Sequence, residues 1–119
     1  IRTVEVASGI TNLPDFAFFG CSALETVSFA EVSQLTTIGG SAFNGCTSLK
    51  ELTLPQGVKT IYGNAFRGCS SLTSVYLPDT VSYITGGAFR DCGKVVLSVA
   101  RDSYAKQYAI SNGIAYVER

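Results

Sequence analysis

The chain has 119 residues, nine basic and nine acidic side chains, no histidine, and 46% apolar residues. That is enough for one domain with a core, and far too apolar for a disordered segment. Balanced charge removes the usual electrostatic drive toward nucleic acid or an anionic membrane, and no apolar stretch approaches the roughly 20 residues of a membrane span.

From Ile1, apolar residues fall at Val4, Val6, Ile10, Leu13, Ala17 and Phe18, and Cys21 follows. The same series returns after Cys21 as Leu24, Val27, Phe29, Leu35, Ile38, Ala42 and Phe43. It returns after Cys46 as Leu49, Leu52, Leu54, Val58, Ile61, Ala65 and Phe66, and after Cys69 as Leu72, Val75, Leu77, Val81, Ile84, Ala88 and Phe89. Cys21, Cys46, Cys69 and Cys92 are 25, 23 and 23 residues apart. The longer spacing marks a two-residue insertion between Phe29 and Leu35, near Glu31-Val32. A unit this short has no core of its own, so it buries its apolar columns against the next unit, as solenoids do.

Within each unit, L-x-L or V-x-L predicts a short strand with alternating faces. Pro55 and Pro78 end two of these strands, because proline has no N–H for the ladder. A second short segment leads to Ile61 or Ile84. Gly40, Gly63 and Gly86 follow two residues after an Ile, which predicts a positive-φ bend or close backbone approach. Asp15 takes that place in the first unit. Ala-Phe then predicts one helical turn, with four stacked Phe rings inside.

The cysteines are read as buried free thiols, one per coil, since free Cys is small and apolar. Neighbouring strands ~4.8 Å apart leave a disulfide between adjacent coils within reach. A metal site is not expected: ligands must converge on one point, and an even spacing gives a row. No cofactor motif, phosphate loop or nucleophile elbow occurs, and without His the Ser-His and Cys-His schemes are closed. The expectation is a non-catalytic chain.

Residues 46–68 follow C-x-S-L-x-x-L-x-L-P-x-x-V-x-x-I-x-G-x-A-F-x-G, and residues 69–91 match almost as closely. This segment resembles the BspA-like leucine-rich repeats of bacterial and some protist surface proteins. Residues 1–45 depart from it at Asp15, Ala7, Ala30 and the insertion. The resemblance implies a right-handed, curved leucine-rich-repeat solenoid over residues 1–100. A short parallel β-sheet would line its concave face, with short turns or helical turns on the convex side. It also implies an extracellular or cell-surface setting and an adhesion role toward host or neighbouring-cell proteins. The chain starts at Ile1 without a visible leader, and further repeats are expected upstream.

Residues 101–119 are expected to form a C-terminal cap. Ser103 or Asp102 suits a helix start, Tyr104, Ala105, Tyr108 and Ala109 have helical spacing, Asn112-Gly113 stops the helix, and Ile114 to Val117 is a last strand. Before it, Val95, Leu97 and Val99 are expected inward, one residue out of register. The first coil has no such cap. Its apolar residues, with Phe16 and Phe19 lying off the usual columns, are expected to favour end-to-end self-association.

Strand residues that alternate with the buried ones give the candidate contact surface: one column of Thr3, Thr26, Glu51 and Ser74, and a second of Glu5, Ser28, Thr53 and Tyr76. Arg2, Glu25, Lys50 and Thr73 flank them. Tyr76, the one large aromatic, is the expected anchor, with Lys50 and Glu51 beside it; Thr26, Ser28, Thr53 and Ser74 complete the set. Equally, β-propensity alone accounts for Thr and Tyr on a plain solvated sheet. The partner readings are an extracellular protein, a glycan held by exposed tyrosines (Tyr62, Tyr76 or Tyr83), or no partner at all in a structural spacer. Nucleic acid and membrane insertion are not expected.

Overall fold

A computed structural model describes residues 1–119. Four coils contribute two strands each: β1 (Thr3–Val6) and β2 (Asn12–Leu13), β3 (Thr26–Phe29) and β4 (Thr37–Ile38), β5 (Glu51–Thr53) and β6 (Thr60–Ile61), β7 (Ser74–Tyr76) and β8 (Tyr83–Ile84). Strand β9 (Val96–Val99), helix α1 (Tyr104–Ser111) and strand β10 (Tyr116–Glu118) close the chain. All pairings are parallel. The concave face carries the pair β1-β3 and the sheet β5-β7-β9-β10, and β2, β4, β6 and β8 form a further, narrow sheet opposite. Between them lies one core of 31 buried residues, drawn from the apolar columns.

Ala-Phe does not form a helical turn. Each such segment is a run of tight turns whose amides alternate in direction. In the second coil Ala42, Asn44 and Cys46 donate three residues back within the coil, to Gly39, Ser41 and Phe43. Ser41, Phe43 and Gly45 donate instead to the carbonyls of Gly63, Ala65 and Arg67 in the next coil, at 2.7–3.0 Å. A helix would consume every amide internally. Here half of them fix the spacing between coils. The positive φ expected at Gly40 and Gly63 falls one residue later, at Ser41 (56°), Asn64 (60°) and Gly87 (78°), and at Phe16 (63°) in the first coil. Gly40 and Gly63 serve the other expected purpose: a Cβ there would meet the carbonyl oxygen of Gly63 or Gly86 at 3.5 or 3.3 Å. Gly39, unremarked in the repeat, is the tightest position, since a Cβ would lie 2.6 Å from the backbone of Leu13, Pro14 and Asp15.

The aromatic spine is present. Phe18, Phe43, Phe66 and Phe89 stack at centroid distances of 5.4, 5.4 and 5.2 Å. All four cysteines are free, and three form a ladder against this spine. The thiols of Cys46, Cys69 and Cys92 donate to the carbonyls of Phe18, Phe43 and Phe66 at 3.3, 3.1 and 2.9 Å. Burial pushes the Cys46 thiol up to about 11.

The cap forms as its residues suggest. Ser103 is the N-cap, accepting from the Lys106 amide at 3.1 Å. Tyr108 sets its ring 6.3 Å from Phe89 and ends the spine. The Tyr104 hydroxyl accepts from the Ile84 amide at 3.0 Å, covering the end of the narrow sheet. Val95, Leu97 and Val99 face inward, and Leu97 pairs with Val75 one residue early. Strand β10 adds to β9, two residues later than expected. At the other end Val6 is buried after all, and Val4 and Phe18 are half-buried; Ile1 and Ile10 are exposed. Phe16 and Phe19 are 62% and 55% exposed and pack edge-to-face on each other.

Phe66→Ala is expected to lower the unfolding free energy by about 3–5 kcal/mol, as truncation of a fully buried Phe does, read by urea denaturation. In the native state at pH 8 an alkylating reagent should modify Cys21 well before the other three, with all four reacting once the chain is unfolded. Cys46, held protonated by its raised pKa, should remain far slower than an ordinary thiol at pH 9, its rate still climbing about tenfold per pH unit where a thiol with pKa near 8.5 levels off.

Candidate binding surface

The concave columns have the expected register on either side of one break. Thr3 pairs with Thr26 and Glu5 with Ser28; Glu51 pairs with Ser74 and Thr53 with Tyr76. The step from β3 to β5 carries no pairing, so the concave sheet is two sheets, β1-β3 and β5-β7-β9-β10. The break falls in the coil that carries the Glu31-Val32 insertion.

The alternation of a parallel ladder says which groups the break leaves free. Thr26 and Ala30 donate back toward β1, to Arg2 and Val6, and Leu54 donates forward to Tyr76. The intervening residues, Val27 and Phe29 on β3 and Glu51 and Thr53 on β5, therefore aim their main-chain groups into the break. None of their four amides donates to a protein acceptor. Above them a cleft of about 830 Å³ opens on the concave face.

Five of the seven candidate contact residues line this cleft: Thr26, Ser28, Lys50, Glu51 and Thr53. Ser74 and Tyr76 lie beyond β5 and do not. Tyr76, the expected anchor, is half-buried and has one ring face occupied. The Arg119 guanidinium sits over its ring at 3.8 Å, and also donates to the Leu77 carbonyl at 2.6 Å and to Ser98 Oγ at 3.2 Å. A cation–π contact reinforced by two hydrogen bonds takes that face of the tyrosine out of solvent. Sequence reasoning had no signal for this, because Arg119 lies outside the repeat. Gln56 was also missed. It lines the cleft and donates to Asp79 across the coil boundary at 2.7 Å.

The cleft is acidic. Glu25, Glu31 and Glu51 face one ammonium, Lys50. Glu25 is paired with Arg2 at 3.1 Å, whereas Glu31, Glu51 and Lys50 are in no ion pair. No three His, Cys, Asp or Glu side chains converge as a metal site would require. No helix is long and apolar enough to cross a membrane. The surface offers short hydroxyl side chains, unpaired main-chain groups and carboxylates.

Amide hydrogen exchange checks the break directly. Along β5 the rates should alternate, fast at Glu51 and Thr53 and slow at Leu52 and Leu54, while β7, paired on both sides, stays slow throughout. Uniform protection along β5 would mean that the sheet is continuous.

The repeat pattern extends to known proteins. Six copies of the BspA type leucine rich repeat region match residues 1–112. No curated protein sequence matches the chain. A leucine-rich repeat protein from Bacteroides ovatus has a similar solved structure, with TM-score 0.79 and 28% identity over 97% of this chain and 30% of its own. A leucine rich cell surface protein from Faecalibacterium prausnitzii gives 0.80 and 29% over 92% of this chain and 28% of its own. A leucine-rich repeat protein from T. pallidum gives 0.66 and 29% over 82% of this chain and 58% of its own. The chain therefore spans less than a third of the first two relatives. With the repeat, the paired sheets and the family match in agreement, this chain belongs to the BspA-type leucine-rich repeat family.

Proposed function

We propose that the chain is the protein-binding, adhesive part of a larger cell-surface or secreted bacterial protein, that it carries out no catalysis, and that it meets an extracellular or host protein through its concave face. The observation that carries this reading is the interrupted sheet. A spacer needs only regular stacking, yet here the regular stack is broken on one face, and the break is lined by acidic and hydroxyl side chains. Family membership supports an interaction or surface module, and the Faecalibacterium relative is described as a cell surface protein.

The test is a binding screen of the immobilised chain at micromolar concentration against extracellular-matrix proteins, plasma proteins and a glycan array. A saturable protein ligand is expected, with affinity reduced at least tenfold by Glu51→Lys and unchanged by Tyr62→Ala/Tyr83→Ala. That Tyr pair is exposed away from the cleft. A glycan ligand lost in the tyrosine variant would replace this reading with carbohydrate recognition. Binding to nothing in the panel would replace it with a spacer.

A further inference from the structure

The two ends of the solenoid differ in what their main chain offers. At the first coil three rows are open. The outer edges of β1 and β2 have no neighbouring strand. The carbonyls of Asp15, Ala17 and Phe19 accept no backbone amide, whereas their equivalents Gly40, Ala42 and Asn44 each accept one. Two such ends set face to face would match acceptors against acceptors. At the other end α1 stands where earlier coils have the narrow sheet and the turn run, and a helix satisfies its amides internally. One row remains, the outer edge of β10, the last strand of its sheet. Ala115 accepts from Leu97, and Arg119 donates to Val99. By the alternation of a parallel ladder, Tyr116 and Glu118 therefore turn their N–H and C=O groups outward.

We propose that β10 pairs antiparallel with β10 of a second copy of this chain, closing a two-fold dimer at the C-terminal end. The outward groups are spaced symmetrically about Val117. With Tyr116 opposite Glu118 of the second copy, both outward amides and both outward carbonyls of each strand find partners, and Val117 meets its own equivalent on the axis. The side chains favour this occupant. Val117 is 55% exposed and Tyr116 38%. Lys106 reaches Glu118 at 2.6 Å, so that flank of α1 borders β10. Ile110 lies one turn further along the same flank and is also exposed. Charge does not oppose the approach. Glu118 is held by Lys106 and Arg101 at 2.6 and 3.4 Å, and the Arg119 side chain is drawn back over Tyr76. Two common guards of a sheet edge, a proline and a bulge, are absent from β10. A dyad normal to the sheet sets both concave faces on one side. The dimer thus displays two copies of the acidic cleft together, and a partner with two epitopes gains avidity.

Sedimentation equilibrium from micromolar to millimolar concentration tests the pairing. A monomer–dimer equilibrium that stops at two copies is expected, with amide exchange at Tyr116 and Glu118 slowing as dimer accumulates. Val117→Lys, which puts like charges on the axis at an exposed site, should weaken the dimer at least tenfold. Phe16→Ser/Phe19→Ser, at the opposite end, should leave it unchanged. On a Cys21→Ser background, Val117→Cys should oxidise to a covalent dimer. A pair lying between ladder bonds has Cα atoms about 4.5 Å apart, within disulfide reach. Thr3→Cys on the same background should oxidise far more slowly. A monomer at every concentration would overturn the proposal. So would growth beyond two copies, the mark of head-to-tail stacking, or a dimer that the Phe16 and Phe19 changes abolish and Val117→Lys does not.

Discussion

The structure depends on hydrogen bonding between successive coils. No coil is large enough to hold a core, so each must be held at strand spacing from the next by groups every residue carries. Three ladders do this. The concave strands form one, the two-residue strands β2, β4, β6 and β8 a second, and the alternating turn amides around Ala-Phe a third. The side-chain ladders follow from that spacing. Phe rings repeat at 5.2–5.4 Å because the backbone sets them there, and each buried thiol reaches a carbonyl of the preceding coil for the same reason.

Much of this was legible because the repeat averages over local ambiguity. One V-x-L is a weak strand signal, but four in phase leave few alternatives. The inward columns, the Phe spine, the shortened step at Leu97 and the cap helix all follow from that phase. The failures are also physical. Ala-Phe looks helical by propensity, yet the left-handed residue before it, Ser41 or Asn64, turns alternate amides out toward the next coil. The positive φ was assigned to Gly40 and Gly63 because glycine adopts it most readily. The structure uses glycine there for room, and lets Ser, Asn and even Phe16 adopt the left-handed conformation, which costs a non-glycine residue on the order of 1 kcal/mol or more.

The candidate surface was legible as columns but not as a shape. The columns place Thr26, Ser28, Lys50, Glu51 and Thr53 on one face without showing that β3 and β5 part between them. The two-residue insertion was the visible sign, at Glu31-Val32. Its effect on pairing depends on how the longer loop leaves β3 beside Pro55 and Gln56, which no local pattern encodes. Tyr76 shows a second limit of reading by columns. Residue type and exposure in a column marked it as an anchor, and a residue outside the repeat, Arg119, had already engaged it.

The location of the break also has a physical logic. A main-chain group without a protein partner costs little where water reaches it and about 1–3 kcal/mol where it does not. On the concave face the orphaned amides border an open cleft. Had the same two residues disturbed the turn ladder, the amides of Phe43 or Phe66 would lose their acceptors beside fully buried rings. The narrow sheet and the turn ladder run unbroken through the second and third coils, from Thr37-Thr60 to Phe43-Ala65. The solenoid thus opens on the one side where opening is cheap and stays locked on the others. A repeat fold can depart from its repeat under that condition: the ladders over the core keep the coils in register, and the concave ladder is free to vary.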